Sequence, residues 1–137
     1  MLAAASVRDL VWVFVDGEVL GTMGTRRRRF RVPLPARATP VTLEVLVYTI
    51  ARVNFGVEIH DRKGLHGPVS FLPTGGQAES LEQWDIRAID FGADASLPPL
   101  AWQAGAASGP AFWRGAFTLG ETGDTFLDMS NWGQGSA

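Results

Sequence analysis

The segment LVWVFVDG, Leu10 to Gly17, constrains the fold more than any other part of the chain. Its six apolar residues fill both alternating faces, as in a central strand covered on two sides, and the Asp-Gly pair then supplies a hairpin turn. The return strand is EVLGT and the next is RFRVPL, in which Phe30 and Val32 point one way and Arg29 and Arg31 the other. PVTLEVLVYTI sets Val41, Leu43, Val45 and Val47 against Thr42, Glu44, Leu46 and Tyr48, so one side is core and the other partly so. GPVSFLP, WDIRAIDF, AFWRGAFTL and DTFLDM read as further short strands bounded by Gly, Pro or Asp. GGQAESLEQW is too short and too poorly periodic for a helix and reads as one turn or a loop. GADASLPPLAWQAGAASGP, rich in Ala, Gly and Pro, reads as a long surface excursion. Sixteen glycines and eight prolines in 137 residues fit this turn-punctuated pattern. The expectation is an all-β chain forming one domain over residues 1–137, an antiparallel β-sandwich of jelly-roll type.

A net charge of −2 gives no global attraction to phosphate, so neither nucleic acid nor an anionic membrane is expected as a partner. RRRRFR, Arg26 to Arg31, is the local exception; it reads as a solvated or ion-paired face, with an anion site as the alternative. Without cysteine there is no disulfide and no thiolate chemistry. The start, MLAAASVRDLVWVFV, lacks a basic leader region and its apolar runs are broken by Arg8 and Asp9, unlike a signal peptide or a membrane span. As written the chain reads as cytoplasmic, an expectation that lapses for a piece of a longer secreted enzyme.

The chemistry-bearing residues fit no catalytic pattern. His60 and His66, with Asp61 beside the first, match no zinc spacing, and only a structural calcium through Asp61 and backbone carbonyls stays open. A nucleophile elbow and phosphate loops are absent, and the carboxylate pairs Glu58/Asp61 and Asp124/Asp128 are no more than any chain with 14 acids would offer. No catalytic residue, metal or cofactor is therefore expected. Sugar binding asks for less, an aromatic face and a few polar groups. Trp12 and Trp84 lie in apolar strands and read as core, and Trp113 as core or interface, which leaves Trp102 and Trp132 as exposed candidates. RVNFGVEIHDRKGLHG, Arg52 to Gly67, reads as a structural corner built by Arg52, Asn54, Asp61 and Lys63, with Arg52 forked onto Asp61, Asn54 bonding local backbone, and Gly56 and Gly64 free to take positive φ; a ligand loop is the alternative.

Several motifs resemble, in order, the C-terminal jelly-roll region of family 35 glycoside hydrolases, the β-galactosidases: VWVFVDGEVLGT (11–22), LEVLVYTIARVNFGVEIHDRKGLHGPV (43–69), LEQWDI (81–86), GPAFWRGAFTL (109–119) and DTFLDMSNWGQG (124–135). The resemblance implies a galactose-binding-like β-sandwich without the catalytic barrel and its two glutamates. Two features depart from the family. Its Gly-Arg-x-Asn-Tyr-Gly pattern reads Ala51-Arg52-Val53-Asn54-Phe55-Gly56 here, which removes the tyrosine hydroxyl at position 55. A final strand with an Asn-Gly and a Leu-Gly-Arg-Tyr-Trp-like motif is missing after Trp132, so an unpaired edge is expected, covered by MLAAAS, an exchanged strand or a second copy in a homo-oligomer. The expected function is a non-catalytic carbohydrate-binding module for a β-linked glycan or galactoside, with Trp102 and Trp132 stacking and Asp61, His66 and Arg114 supplying hydrogen bonds. The rivals are a ligand-free bracing or oligomerisation domain of a β-galactosidase-like enzyme and, further off, a small glycosidase.

Overall fold

The computed structural model describes residues 1–49, 52–89 and 101–132. Its regular structure is seven strands and one short 3₁₀ turn, Val57–His60. Strands β1 (Leu2–Arg8), β4 (Arg31–Val32), β6 (Gly64–Phe71) and β7 (Glu79–Ser80) form one sheet in the order β4-β1-β6-β7. Strands β2 (Leu10–Val15), β3 (Glu18–Gly24) and β5 (Leu43–Tyr48) form the other, in the order β3-β2-β5. Every pairing is antiparallel.

The sheets face each other across one core: Leu2, Ala4 and Val7 of β1, Val32 of β4 and Val69 of β6 meet Val11 and Val13 of β2 and Met23 of β3. Burial on β2 alternates strictly, with Val11, Val13 and Val15 inward. Its other face is only partly covered. Trp12, read from the sequence as core, lies only partly buried there, edge-on to Tyr48 at 6.2 Å between ring centres. The hairpin after β2 forms where Asp-Gly predicts it: Asp16 and Gly17 have φ of 51° and 82°, the pair of positive values that a two-residue I′ turn requires.

MLAAAS, a candidate cover for an open edge, is largely β1 itself, paired on both sides: Leu2 is opposite Val32 on β4 and Phe71 on β6. The β1–β6 register slips at Gly67-Pro68. Gly67 has φ 72°, and a Cβ there would lie 2.9 Å from the Ala5 Cβ, while Pro68 has no N–H to give the ladder.

Three predicted strands are not formed. The described part of WDIRAIDF, AFWRGAFTL and DTFLDM carry no regular structure. A strand exists only where a neighbour takes its N–H and C=O groups. The sheets end by Ser80, seven strands in all among the described residues, so the antiparallel two-sheet fold stands and the jelly-roll type is left as an expectation.

Candidate functional site

One end of the sandwich is closed by a charged corner. A single residue, Asp9, separates β1 from β2 and carries the chain from one sheet to the other with φ 78°, a left-handed conformation that Asp and Asn adopt more readily than other side chains. The Asp9 N–H donates to Thr25 Oγ1, the Thr25 N–H donates to the Asp9 carbonyl, and the Thr25 hydroxyl donates to the Val7 carbonyl. The same bend excludes a side chain at Gly24, where a Cβ would lie 2.8 Å from the Asp9 oxygen.

Lys63 joins this bend to β6. Its ammonium is 3.2 Å from Asp9 Oδ1 and 3.9 Å from Asp61 Oδ2, and Arg8 Nε is 3.3 Å from Asp61 Oδ1. Side chains of Asp9, Lys63 and Asp61 are 14, 15 and 18% exposed. Lys63, Asp9 and Asp61 thus meet in a largely dehydrated site whose outer side is Arg8, 42% exposed, an arrangement that stabilises only when every inner partner is in place. The predicted Arg52–Asp61 fork is not the pair that forms. Arg8 stands opposite Gly64 in the β1–β6 ladder, beside Asp61, whereas Arg52 is exposed. His66, on β6, donates from Nε2 to the Arg62 carbonyl at 2.9 Å. Asp61 and His66 therefore belong to the corner, and both oxygens of Asp61 face cations of the protein itself. Among the described residues no group of three or more His, Cys, Asp or Glu could hold a metal.

Trp102, Arg114 and Trp132 lie in a second place, the irregular segment 101–132. The Arg114 guanidinium sits 4.7 Å above the Trp102 ring, a cation–π contact that occupies one indole face. Trp132 meets Trp113 edge-on at 6.2 Å. Gln103, Ala104, Gly105, Ala111, Phe112 and Trp113 help to line a shallow cavity of about 220 Å³ beside them. Trp84, read as core, and Trp113, read as core or interface, are both exposed, because no sheet covers either, which removes the core reading of each and leaves the interface reading of Trp113 open; the Trp84 Nε1–H donates to the Leu81 carbonyl. Further on, the Ser130 N–H donates to Asp128 Oδ1 at 2.9 Å, and this bond, with a second from the Ser130 side chain, holds the Asp128 carboxyl below its ordinary pKa. The segment touches the second sheet at Gly109, where a Cβ would lie 2.7 Å from Val19 Cγ2.

The structure thus puts Asp61 and His66 in the corner and the other three candidates in the segment 101–132, where Arg114 touches Trp102 and Trp132 touches Trp113. Sequence reasoning placed Asp61 and Lys63 in a structural corner but missed Arg8, Asp9 and Thr25 as its other members. The one signal was the charged pair Arg8-Asp9 interrupting two apolar runs. A larger apolar cleft, about 590 Å³, opens at the far end of the sandwich among Met1, Val15, Leu34, Leu43, Phe71 and Leu81. No helix among the described residues is long and apolar enough to cross a membrane.

The family described as the first all-beta domain of beta-galactosidase matches residues 1–90. A beta-galactosidase from Xanthomonas manihotis is 32% identical over an alignment of 137 positions, covering 99% of this chain and 22% of that protein. Beta-galactosidase-1-like protein 2 from Homo sapiens is 30% identical over 146 aligned residues, covering 98% of this chain and 21% of that protein. The chain spans about a fifth of the length of these two relatives. No solved structure matches it. The family match ends ten residues past the last strand, whereas the relatives align through the irregular segment as well.

Proposed function

Because this chain belongs to the family of the first all-beta domain of beta-galactosidases, we propose that it serves as a non-catalytic bracing domain of a β-galactosidase-like protein of family 35. One observation carries this reading. Residues 101–132 present Trp102, Phe112, Trp113, Phe117, Leu119, Phe126, Leu127 and Trp132 to solvent, with Phe126 at 88% exposure. Free-standing soluble domains rarely leave so dense a set of large apolar side chains uncovered, and such surfaces mark contacts with other protein. In the longer relatives about four-fifths of the chain lies outside the region aligned here, which is ample material to cover them. With no such cover, the same surface drives association between copies, the expected homo-oligomer.

The test uses the full chain. Phe117→Ser with Phe126→Ser should leave the urea midpoint nearly unchanged, while binding of an apolar dye and the mass seen by light scattering both fall. A midpoint that collapses, or a strict monomer before mutation, counts against the bracing role.

A carbohydrate-binding module is the second reading, favoured by the Trp102–Arg114 stack beside the 220 Å³ cavity. One indole face and Gln103 would meet the apolar and hydroxyl sides of a galactoside there. Titration heat with a β-galactoside, lost in Trp102→Ala, would favour it over bracing alone.

A further inference from the structure

We propose that the closed end of the sandwich binds anionic polysaccharide, with the arginine turn Arg26–Arg29 as its contact surface. This goes beyond the bracing role and does not depend on it, since the apolar segment meets the second sheet near its hairpin end, at Val19, and the turn lies at the other end of the same strand.

The turn is a fixed platform. Gly24 and Arg29 exchange backbone hydrogen bonds of 2.8 and 3.2 Å, the Arg28 N–H donates to the Thr25 carbonyl at 3.0 Å, and Thr25 is bonded to the Asp9 bend. Arg28 has φ 49°, so the four side chains leave a reversing backbone and do not alternate over two faces of a strand. All four are exposed. Of the solvated or ion-paired face read from the sequence, the solvated alternative is the one in agreement, since among the described residues none of the four enters an ion pair. The carboxylates of the corner, Asp9 and Asp61, are held by Lys63 and Arg8.

Charge is therefore segregated along the sandwich. Topology brings Arg8, the four turn arginines, Arg52, Arg62 and Lys63 to this end, against Asp9, Glu58 and Asp61. That is five positive charges in excess, in a chain whose net charge is −2. Arginine forks match the oxygens of carboxylate and sulfate.

The loop beside the turn carries what a sugar needs and a point anion does not. Gly24 and Tyr48 both stand opposite Leu10, one on each side of β2, so the arginine turn and the loop containing residues 52–60 leave the sheet roughly 10 Å apart, two strand spacings. That loop holds Phe55 at 88% exposure, beside exposed Asn54. An apolar ring and an amide on a loop that leaves the same end of the sheet as clustered guanidinium groups suit a pyranose that bears a negative group. Because beyond this pole the remaining charge of the chain is negative, the surface suits a short acidic stretch of such a glycan and not a long uniformly charged polyanion.

The experiment titrates the full chain with polygalacturonate fragments, sulfated galactan fragments, neutral galactan and a single-stranded oligonucleotide, at several salt concentrations. The carboxylated and sulfated arms separate the two sources of charge. At least one acidic glycan should bind at least about tenfold tighter than neutral galactan, with affinity falling as salt rises. The variant Arg26→Ser, Arg27→Ser, Arg28→Asn, Arg29→Ser should lose about tenfold or more while keeping its urea midpoint, Asn being chosen to tolerate the positive φ. Trp102→Ala should leave acidic-glycan binding intact, which separates this surface from any galactoside site. Equal binding of neutral and acidic glycans, an unaffected quadruple variant, or tighter binding of the oligonucleotide would each overturn the proposal.

Discussion

Neutralising Lys63 tests the account of the corner most directly. At 3.2 Å from Asp9 and an effective dielectric near 20, the gross attraction is about 5 kcal/mol, and the 3.9 Å approach to Asp61 adds about 4 kcal/mol. Most of that offsets the cost of drying three charged groups. Removing one partner from a fully buried pair costs about 3–5 kcal/mol, and these side chains keep 14–18% of their exposure, so Lys63→Met should destabilise by about 2–3 kcal/mol. Asp9→Asn removes the opposite charge while keeping a residue that accepts φ 78°, so it should cost about 1–2 kcal/mol without adding backbone strain. In the double variant the loss should fall short of the sum by at least about 1 kcal/mol, since each single change already breaks the same contact. Urea unfolding followed by tryptophan fluorescence, with m-values checked for constancy, gives all four stabilities. Strictly additive losses would refute the coupling. A Lys63→Met protein as stable as the parent would refute the claim that the corner is largely dehydrated.

Three further outcomes follow from local geometry. Gly24→Ala should destabilise by about 1–3 kcal/mol, because its Cβ would press on the Asp9 carbonyl, a backbone atom that cannot swing aside; the urea midpoint checks it. Val13→Ala, at a position with no exposure, should cost about 2 kcal/mol, whereas Val57→Ala, on the exposed 3₁₀ turn, should stay within about 0.5 kcal/mol. The Asp128 turn should depend on pH in one direction. Its carboxyl pKa is lowered by the bonds from Ser130, so the contribution is complete above the ordinary carboxylate range and is lost as pH falls through the depressed value, which an NMR titration of the Ser130 amide would follow.

How far the sequence could be read depended on where the determinants lay. The Asp16-Gly17 hairpin and the strands β2 and β5 were legible because a turn with two positive φ values has a short list of residues, and because LVWVFV and LEVLVY are short apolar runs between turn signals; the pairing of β2 with β5, and that only one face of β2 is buried, were not. β1 was not. In LAAASVR only Leu2 and Val7 are large and apolar, and the inward positions pass from even to odd numbers across the irregular stretch facing Gly67-Pro68, which erases the period. One omission produced the next. With β1 unseen, Arg8 had no place opposite Gly64, so Arg52, nine residues from Asp61 in sequence, looked like its natural partner. The pairing of a guanidinium with a carboxylate 53 residues away is a consequence of register, and register is known only once both strands are.

The segment 101–132 shows the opposite case, a clear pattern with no structure to match. In AFWRGAFTL, Trp113, Phe117 and Leu119 share one parity with Gly115 between them, while Arg114 and Thr118 fall on the other, as a half-buried strand would have it. Alternation states what a strand would do with its side chains; it does not supply the neighbour that takes its N–H and C=O groups, nor the layer that covers its apolar face. Among the described residues this chain supplies neither, and the apolar side chains are left exposed. The Trp102–Arg114 stack belongs to the same uncovered segment, so its geometry should change wherever a covering layer is present. Trp102 fluorescence therefore separates the two readings of this surface: bracing by apolar contact shifts it to the blue on association, in the absence of any sugar, whereas a galactoside site shifts it only in proportion to ligand. A blue shift that tracks sugar and ignores protein concentration would remove the case for bracing.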